Sequence, residues 1–160
     1  MSIKVEDSAF DVDSVLDKLG YDYQQKSKVK ESEVLLLPDN IEASESYFDD
    51  KSISIKKEIE KKLRLEVLTK QGAKSHYQAQ RAADIVLPLL VFFGYQAFDI
   101  GKGIIASWIY DKYIQLRYRN LVPNARFKFI IIDDKKKTRK ELSFEGPADT
   151  ASKILKDFKT

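Results

Sequence analysis

Polar, acidic segments alternate with short apolar runs along the chain, and the longest apolar stretch is IVLPLLVFFGYQAFDIGKGIIASWI, residues 85–109. Asp99 and Lys102 are the only charges inside it. The pattern predicts a helical hairpin. Its first helix begins near Tyr77, runs through Arg81 into the apolar segment and is kinked by Pro88, with Gly94, Gly101 and Gly103 as further weak points. A helix–helix turn falls at 99–103. The second helix spans 104–119, where Ile104, Ile105, Trp108, Ile109, Tyr113 and Leu116 repeat at helical spacing.

The remaining pattern supplies shorter elements. Residues 34–37 form a continuous apolar run ended by Pro38, the mark of a buried strand. Residues 52–62 read as a helix carrying Ile53, Ile55 and Ile59, and Leu63, Leu65 and Val67 then alternate with polar positions as a strand does. Strand, helix and strand in succession predict a βαβ-like unit with a parallel pair. Residues 71–75 form a turn around Gly72. Beyond Pro123, Phe127 and residues 129–132 predict a strand, 133–137 a hairpin turn and 142–144 the returning strand; Gly146-Pro147 then precedes an amphipathic helix over 149–158. Near the N-terminus, Val12, Val15, Leu16 and Leu19 share one helical face, with Gly20 as its C-cap. Residues 24–32 read as a linker, and 39–50 as acidic and irregular. The expected order is β-α-β-α-α-β-β-α. It makes an α+β domain over 32–160, with a mixed sheet of about four strands packed by the helical hairpin and the C-terminal helix, preceded by an acidic arm and linker over 1–31.

Charge sharpens this division. Residues 1–50 hold 5 Lys/Arg against 13 Asp/Glu, and residues 51–160 hold 23 against 12. A net −8 segment thus precedes a net +11 body: either a solvated tail beside an ordinary basic surface, the commoner case, or an acidic arm that screens or regulates a basic binding face. The 160 residues suffice for one buried core, and the absence of cysteine excludes disulfides, thiolate metal sites and cysteine nucleophiles. The sequence MSIKVEDSAF lacks an apolar signal-peptide core, which predicts a cytoplasmic location. For the apolar segment, the uncharged run over 85–98 has 14 residues where a membrane span needs about 20. Extending it to 109 would bury Asp99 and Lys102 at roughly 2.5–3.5 kcal/mol each. A mean hydropathy of −0.39 agrees with a chain that stays out of the bilayer.

From the apolar run with its three glycines, through IIASWI around Trp108, RYR at 117–119 and the hairpin FKFIIIDDKKKTRKELSFEG, to the helix TASKILKDF, residues 85–158 resemble a class of small prokaryotic proteins associated with conflict systems. Those proteins are called effector-associated constant components. The resemblance implies a non-enzymatic accessory role beside an effector.

No catalytic signature stands out. His76 in KSHYQ is the only histidine; it would act as a base only if a carboxylate from elsewhere oriented it, and at a helix start a capping role is the commoner use. Asp99 and Lys102, spaced by three, can pair across one turn, or face water in the helix–helix turn. Asp84 can cap the helix or pair with Arg81. The carboxylate pairs Asp49-Asp50 and Asp133-Asp134 sit where turns favour Asp. GKG at 101–103 lacks phosphate-loop spacing, and no nucleophile elbow is present. Neither a metal nor a cofactor is expected.

Binding is the better expectation. Tyr95, Phe98, Trp108, Tyr110 and Tyr113 on the hairpin are candidates for an interface with a protein partner or a second copy, because aromatics anchor interfaces; otherwise they fill the core. A nucleic acid is the alternative partner. Lys135, Lys136, Lys137, Arg139 and Lys140 crowd the hairpin tip, and Arg117, Arg119 and Arg126 are near in sequence with Tyr118 and Phe127 interleaved. The same lysines can instead protect an edge strand from aggregation. A membrane-associated effector acting through 85–109 is the third reading.

Overall fold

In a computed structural model, which describes residues 2–38, 46–78 and 84–159, the chain folds as a mixed α+β domain. Its main sheet is larger than four strands. It contains β1 (Lys4–Asp7), β2 (Val34–Leu36), β4 (Leu65–Val67), β6 (Ile85–Val86), β7 (Leu90–Phe93), β8 (Asn124–Asp133) and β9 (Thr138–Pro147), in the order β1-β9-β8-β7-β2-β4, with β6 also on β8. A separate parallel ribbon joins β3 (Ser46–Asp49) to β5 (Ser75–Gln78). The helices are α1 (Val12–Lys18), α2 (Tyr23–Lys30), α3 (Asp50–Glu60), α4 (Tyr95–Arg117) and α5 (Ala148–Asp157).

Two crossover units organise the sheet. The chain leaves β2, passes through α3 and returns parallel to it as β4; it leaves β7, passes through α4 and returns parallel to it as β8. Because β2 and β7 are antiparallel neighbours, the two units run in opposite directions. Right-handed crossovers then put both helices on the same face of the sheet. Accordingly Ile55 and Ile59 of α3 share one core with Phe98, Ile105, Trp108 and Ile109 of α4 and with Ala151 and Leu155 of α5. On the opposite face, Val15, Leu16 and Leu19 of α1 and Val29 of α2 cover Leu35, Val91, Ile130 and Ile132. The middle strands are therefore buried on both faces, which is why VLL, LVFF and FIII are continuous rather than alternating.

The helical hairpin expected over 77–119 is not what forms. Residues 75–78, 85–86 and 90–93 are strands, and one 23-residue helix, α4, follows. Tyr77, the expected start of the first helix, lies on β5, and its continuation around Arg81 lies outside the described residues. Strand and helix meet at Gly94, whose φ of 95° suits glycine best and whose N–H donates to Ile132 O at 2.8 Å. Pro88 causes a bulge instead of a kink. Register on β8 shifts by one residue between Ile85↔Ala125 and Leu90↔Phe129, so the extra residue falls in the segment holding the proline, which has no N–H for the ladder. Residues 99–103 are helical, not a turn. At Gly101 a Cβ would lie 2.5 Å from the Phe92 ring, so this glycine lets α4 seat directly on β7.

The N-terminal segment also departs from expectation. Lys4–Asp7 pairs antiparallel with Lys140–Ser143, and 24–32 is largely helix α2 rather than linker. Asp22 begins α2 with a capping box: its side chain accepts from Gln25 N at 2.8 Å while the Gln25 side chain accepts from Asp22 N at 2.9 Å. Of the stretch expected to be irregular, 46–49 is strand β3 and 50 opens α3. The strand at 34–36, the helix over 50–60, the parallel β2–β4 pair, the hairpin turn at 134–137 and helix α5 follow the sequence reading closely.

Candidate interaction surface

The five aromatic candidates divide by which side of α4 they occupy. Phe98 is fully buried, with edge-on ring contacts to Phe92 at 5.5 Å and Phe158 at 6.2 Å. Trp108 is buried as well; its indole N–H donates to Ser54 Oγ on α3 at 2.9 Å, and the Lys112 ammonium lies 5.6 Å from its ring. These two side chains hold the fold and have almost no surface for a partner. Tyr95 and Tyr113 are half-buried against the core. Tyr110 is 49% exposed, and its ring lies 6.1 Å from that of Tyr113.

Ile100 and Val122, which the sequence reading passes over, and Tyr118, which it places among the arginines, complete the exposed side. Ile100 is 39% exposed, Tyr118 86% and Val122 74%. Along α4, positions 100, 103, 107, 110, 114 and 117, which advance by three and four residues in turn, share the outward side as one seam. The seam reads Ile100, Gly103, Ser107, Tyr110, Ile114 and Arg117. All but Ile114 are exposed, and Ile114 is partly so. Past its end α4 closes with a Schellman cap, in which Asn120 at φ 60° lets the N–H of Leu121 reach Leu116 O and its own N–H reach Arg117 O.

Asp99 and Lys102 lie in the first turns of α4 and form an i,i+3 ion pair at 3.7 Å. Asp99 is half-exposed, whereas Lys102 is mostly buried and donates to Phe158 O, tying α4 to the end of α5. A second tie is the buried Ser152 hydroxyl, which donates to Ala106 O at 2.7 Å. Between α3 and α4 runs a polar groove of about 460 Å³ whose walls include Ser54, Glu58, Ser107, Asp111 and Lys112.

The basic candidates do not converge. Lys135, Lys136 and Lys137 are exposed on the β8–β9 turn, where Asp133 Oδ1 accepts from the N–H groups of Lys135 and Lys136 at 3.1 and 3.3 Å. Arg117 and Arg119 lie by the opposite end of the hairpin, next to where β8 begins; ten strand residues separate the ends by roughly 30 Å. Arg126 is exposed near that same end and faces Glu145 across the ladder. Arg139 is exposed, and Lys140 is paired with Asp7 of β1, whose carboxylate raises the lysine above its ordinary pKa. Acidic residues of the first 31 thus lie along the stem of the basic hairpin. Asp13 adds to this: its hydrogen bond from Lys30 holds it below the usual carboxylate range, with Lys26 and Arg139 contributing more weakly.

His76 lies on β5, its backbone paired with Tyr47. Asp84 is engaged structurally, accepting from Asn124 N at 3.2 Å through its carboxylate and from Lys51 Nζ at 2.7 Å through its carbonyl. Arg81, its expected partner, lies outside the described residues. Asp49 ends β3, Asp50 opens α3, and Asp133 and Asp134 sit at the hairpin turn. Among the described residues no group of three or more His, Asp or Glu could hold a metal ion. No helix among them is long and apolar enough to cross a membrane, and the 85–109 segment is divided between two strands and the first two thirds of α4. Comparison of the chain with protein-family models, curated proteins and solved structures finds no match.

Proposed function

We propose that this chain is a non-enzymatic interaction protein, an accessory or regulatory subunit of a prokaryotic system of the kind the resemblance of residues 85–158 implies. The observation that carries the reading is the outward side of α4 and the turn after it, where Ile100, Tyr110, Tyr118 and Val122 expose apolar surface on a rigid helix. Large apolar and aromatic side chains exposed in succession along one side of a helix offer anchors that a partner can cover. A combined Tyr110→Ser, Tyr118→Ser and Val122→Ser variant should keep its circular dichroism spectrum and lose association in light scattering and in pull-downs from native lysate. A chain that stays strictly monomeric and retrieves no partner in either form would sink the reading.

Nucleic-acid binding is the second reading, supported by the exposed Lys135, Lys136 and Lys137. With the arginines at the far end and Lys140 paired, the tip offers only a few phosphate contacts. Binding would then be weak and steeply salt-dependent, and lost in a Lys135→Gln, Lys136→Gln, Lys137→Gln variant. Unchanged mobility of labelled DNA and RNA at low salt would remove it.

A further inference from the structure

Resting on the reading of α4 as an interaction surface, we infer that its occupant is a second copy of this chain, docked antiparallel, α4 against α4. The seam is graded in size. Its N-terminal half presents Gly103 and Ser107, and its C-terminal half presents Tyr110 and Ile114. Among the described residues, and leaving aside its chain neighbours and the helix's own backbone, nothing lies within 4 Å of where a Cβ at Gly103 would stand, so the notch over this glycine, beside the groove between α3 and α4, is open. Glycine in a helix interior costs about 1 kcal/mol relative to alanine, which the fold does not recover at this position.

An antiparallel two-fold arrangement centred between Ser107 and Tyr110 sets the two large residues of the central seam opposite its two small ones. Tyr110 meets Ser107 of the second copy, Ile114 meets Gly103, and Ile100 meets the aliphatic stem of Arg117. Charge follows the same polarity. Asp99, half-exposed on the seam side of the first turn, comes beside Arg117 of the second copy, and two-fold symmetry makes that contact twice. A parallel arrangement does the reverse: Tyr110 meets Tyr110, Arg117 meets Arg117 and Asp99 meets Asp99. Size and charge both select the antiparallel form.

One helix face is at the small end of specific interfaces, so the dissociation constant is expected on the order of 10–100 µM. Sedimentation velocity of the whole chain, over concentrations bracketing that range, should show a monomer–dimer equilibrium. Filling the notch with Gly103→Leu should raise the dissociation constant at least about tenfold while leaving the fold intact, since the site is open in the monomer. Asp99→Arg should weaken the dimer about tenfold, and the double variant Asp99→Arg, Arg117→Asp should restore it to within about threefold. That rescue does not depend on how well the glycine variant folds. A monomer at every concentration, or a dimer indifferent to all these changes, overturns the inference. A photo-crosslinker at position 110 separates this failure from that of the underlying reading. In the purified protein it should capture the 103–107 segment of a second copy. Adducts only to another protein in native lysate would overturn self-docking and leave the interaction reading standing, whereas no adduct in either setting would sink both.

Discussion

Gly101 and Gly103 are two residues apart on the same helix and have opposite surroundings. Gly101 faces the sheet, where the Phe92 ring occupies the space any side chain would need; Gly103 faces outward, with nothing among the described residues within 4 Å of a Cβ placed there. On the inner side of α4 each residue is chosen by a neighbour already in the chain. On the outer side Tyr110 and Gly103 are exposed, and no contact among the described residues requires a glycine at 103. An exposed face of this kind is where an intermolecular contact should be sought.

The strongest way to break the contrast is at Phe98. Truncation to alanine opens a cavity between α4, β7 and the end of α5 and should cost about 3–5 kcal/mol in denaturant unfolding. A loss under about 1 kcal/mol would mean that α4 is not seated as described. Next is Gly101→Ala, expected to destabilise by about 1–3 kcal/mol because Phe92 is itself held edge-on by Phe98 and Phe129 and cannot swing aside. Stabilisation there would show that the inner face is loose. Gly103→Ala should move the other way. In dilute protein it should add about 0.5–1 kcal/mol through helix propensity alone, and a loss would reveal an intramolecular neighbour at the outer face. Smallest of all, Tyr110→Ala should change the stability of the dilute chain by less than about 0.5 kcal/mol, checked by the same urea titration.

Much of this organisation can be read from the residues, and the failures have specific physical causes. The β8–β9 hairpin and α5 were legible because a strand with a marked turn and a helix with one clear apolar stripe carry their own periodicity. β6 and β7 were not, since strands buried on both faces show no alternation, and a short apolar run then looks the same as a buried helix. The glycines of α4 compounded the error: Gly101 is set by Phe92, a contact that exists only in three dimensions. Helix α2 is polar and buries only Val29, which hid it despite the Asp22–Gln25 capping box. β1 is exposed at every position and is recruited through its backbone ladder, not through burial. In the candidate surface, Tyr110 was found from composition. Ile100 and Gly103 become visible only when the seam is counted along one uninterrupted helix.

The pairing of β1 with β9 has a consequence for the order of events in folding. Asp7 and Lys140, joined across that edge, are 133 residues apart in the chain. Closing so long a loop gives up chain entropy before the few backbone hydrogen bonds of a four-residue strand return any of it. β1 should therefore zip onto the sheet last during synthesis and peel away first under native conditions. Until it arrives, the outer edge of β9 is bare, with Lys140 in place of a strand as its guard against pairing with other chains.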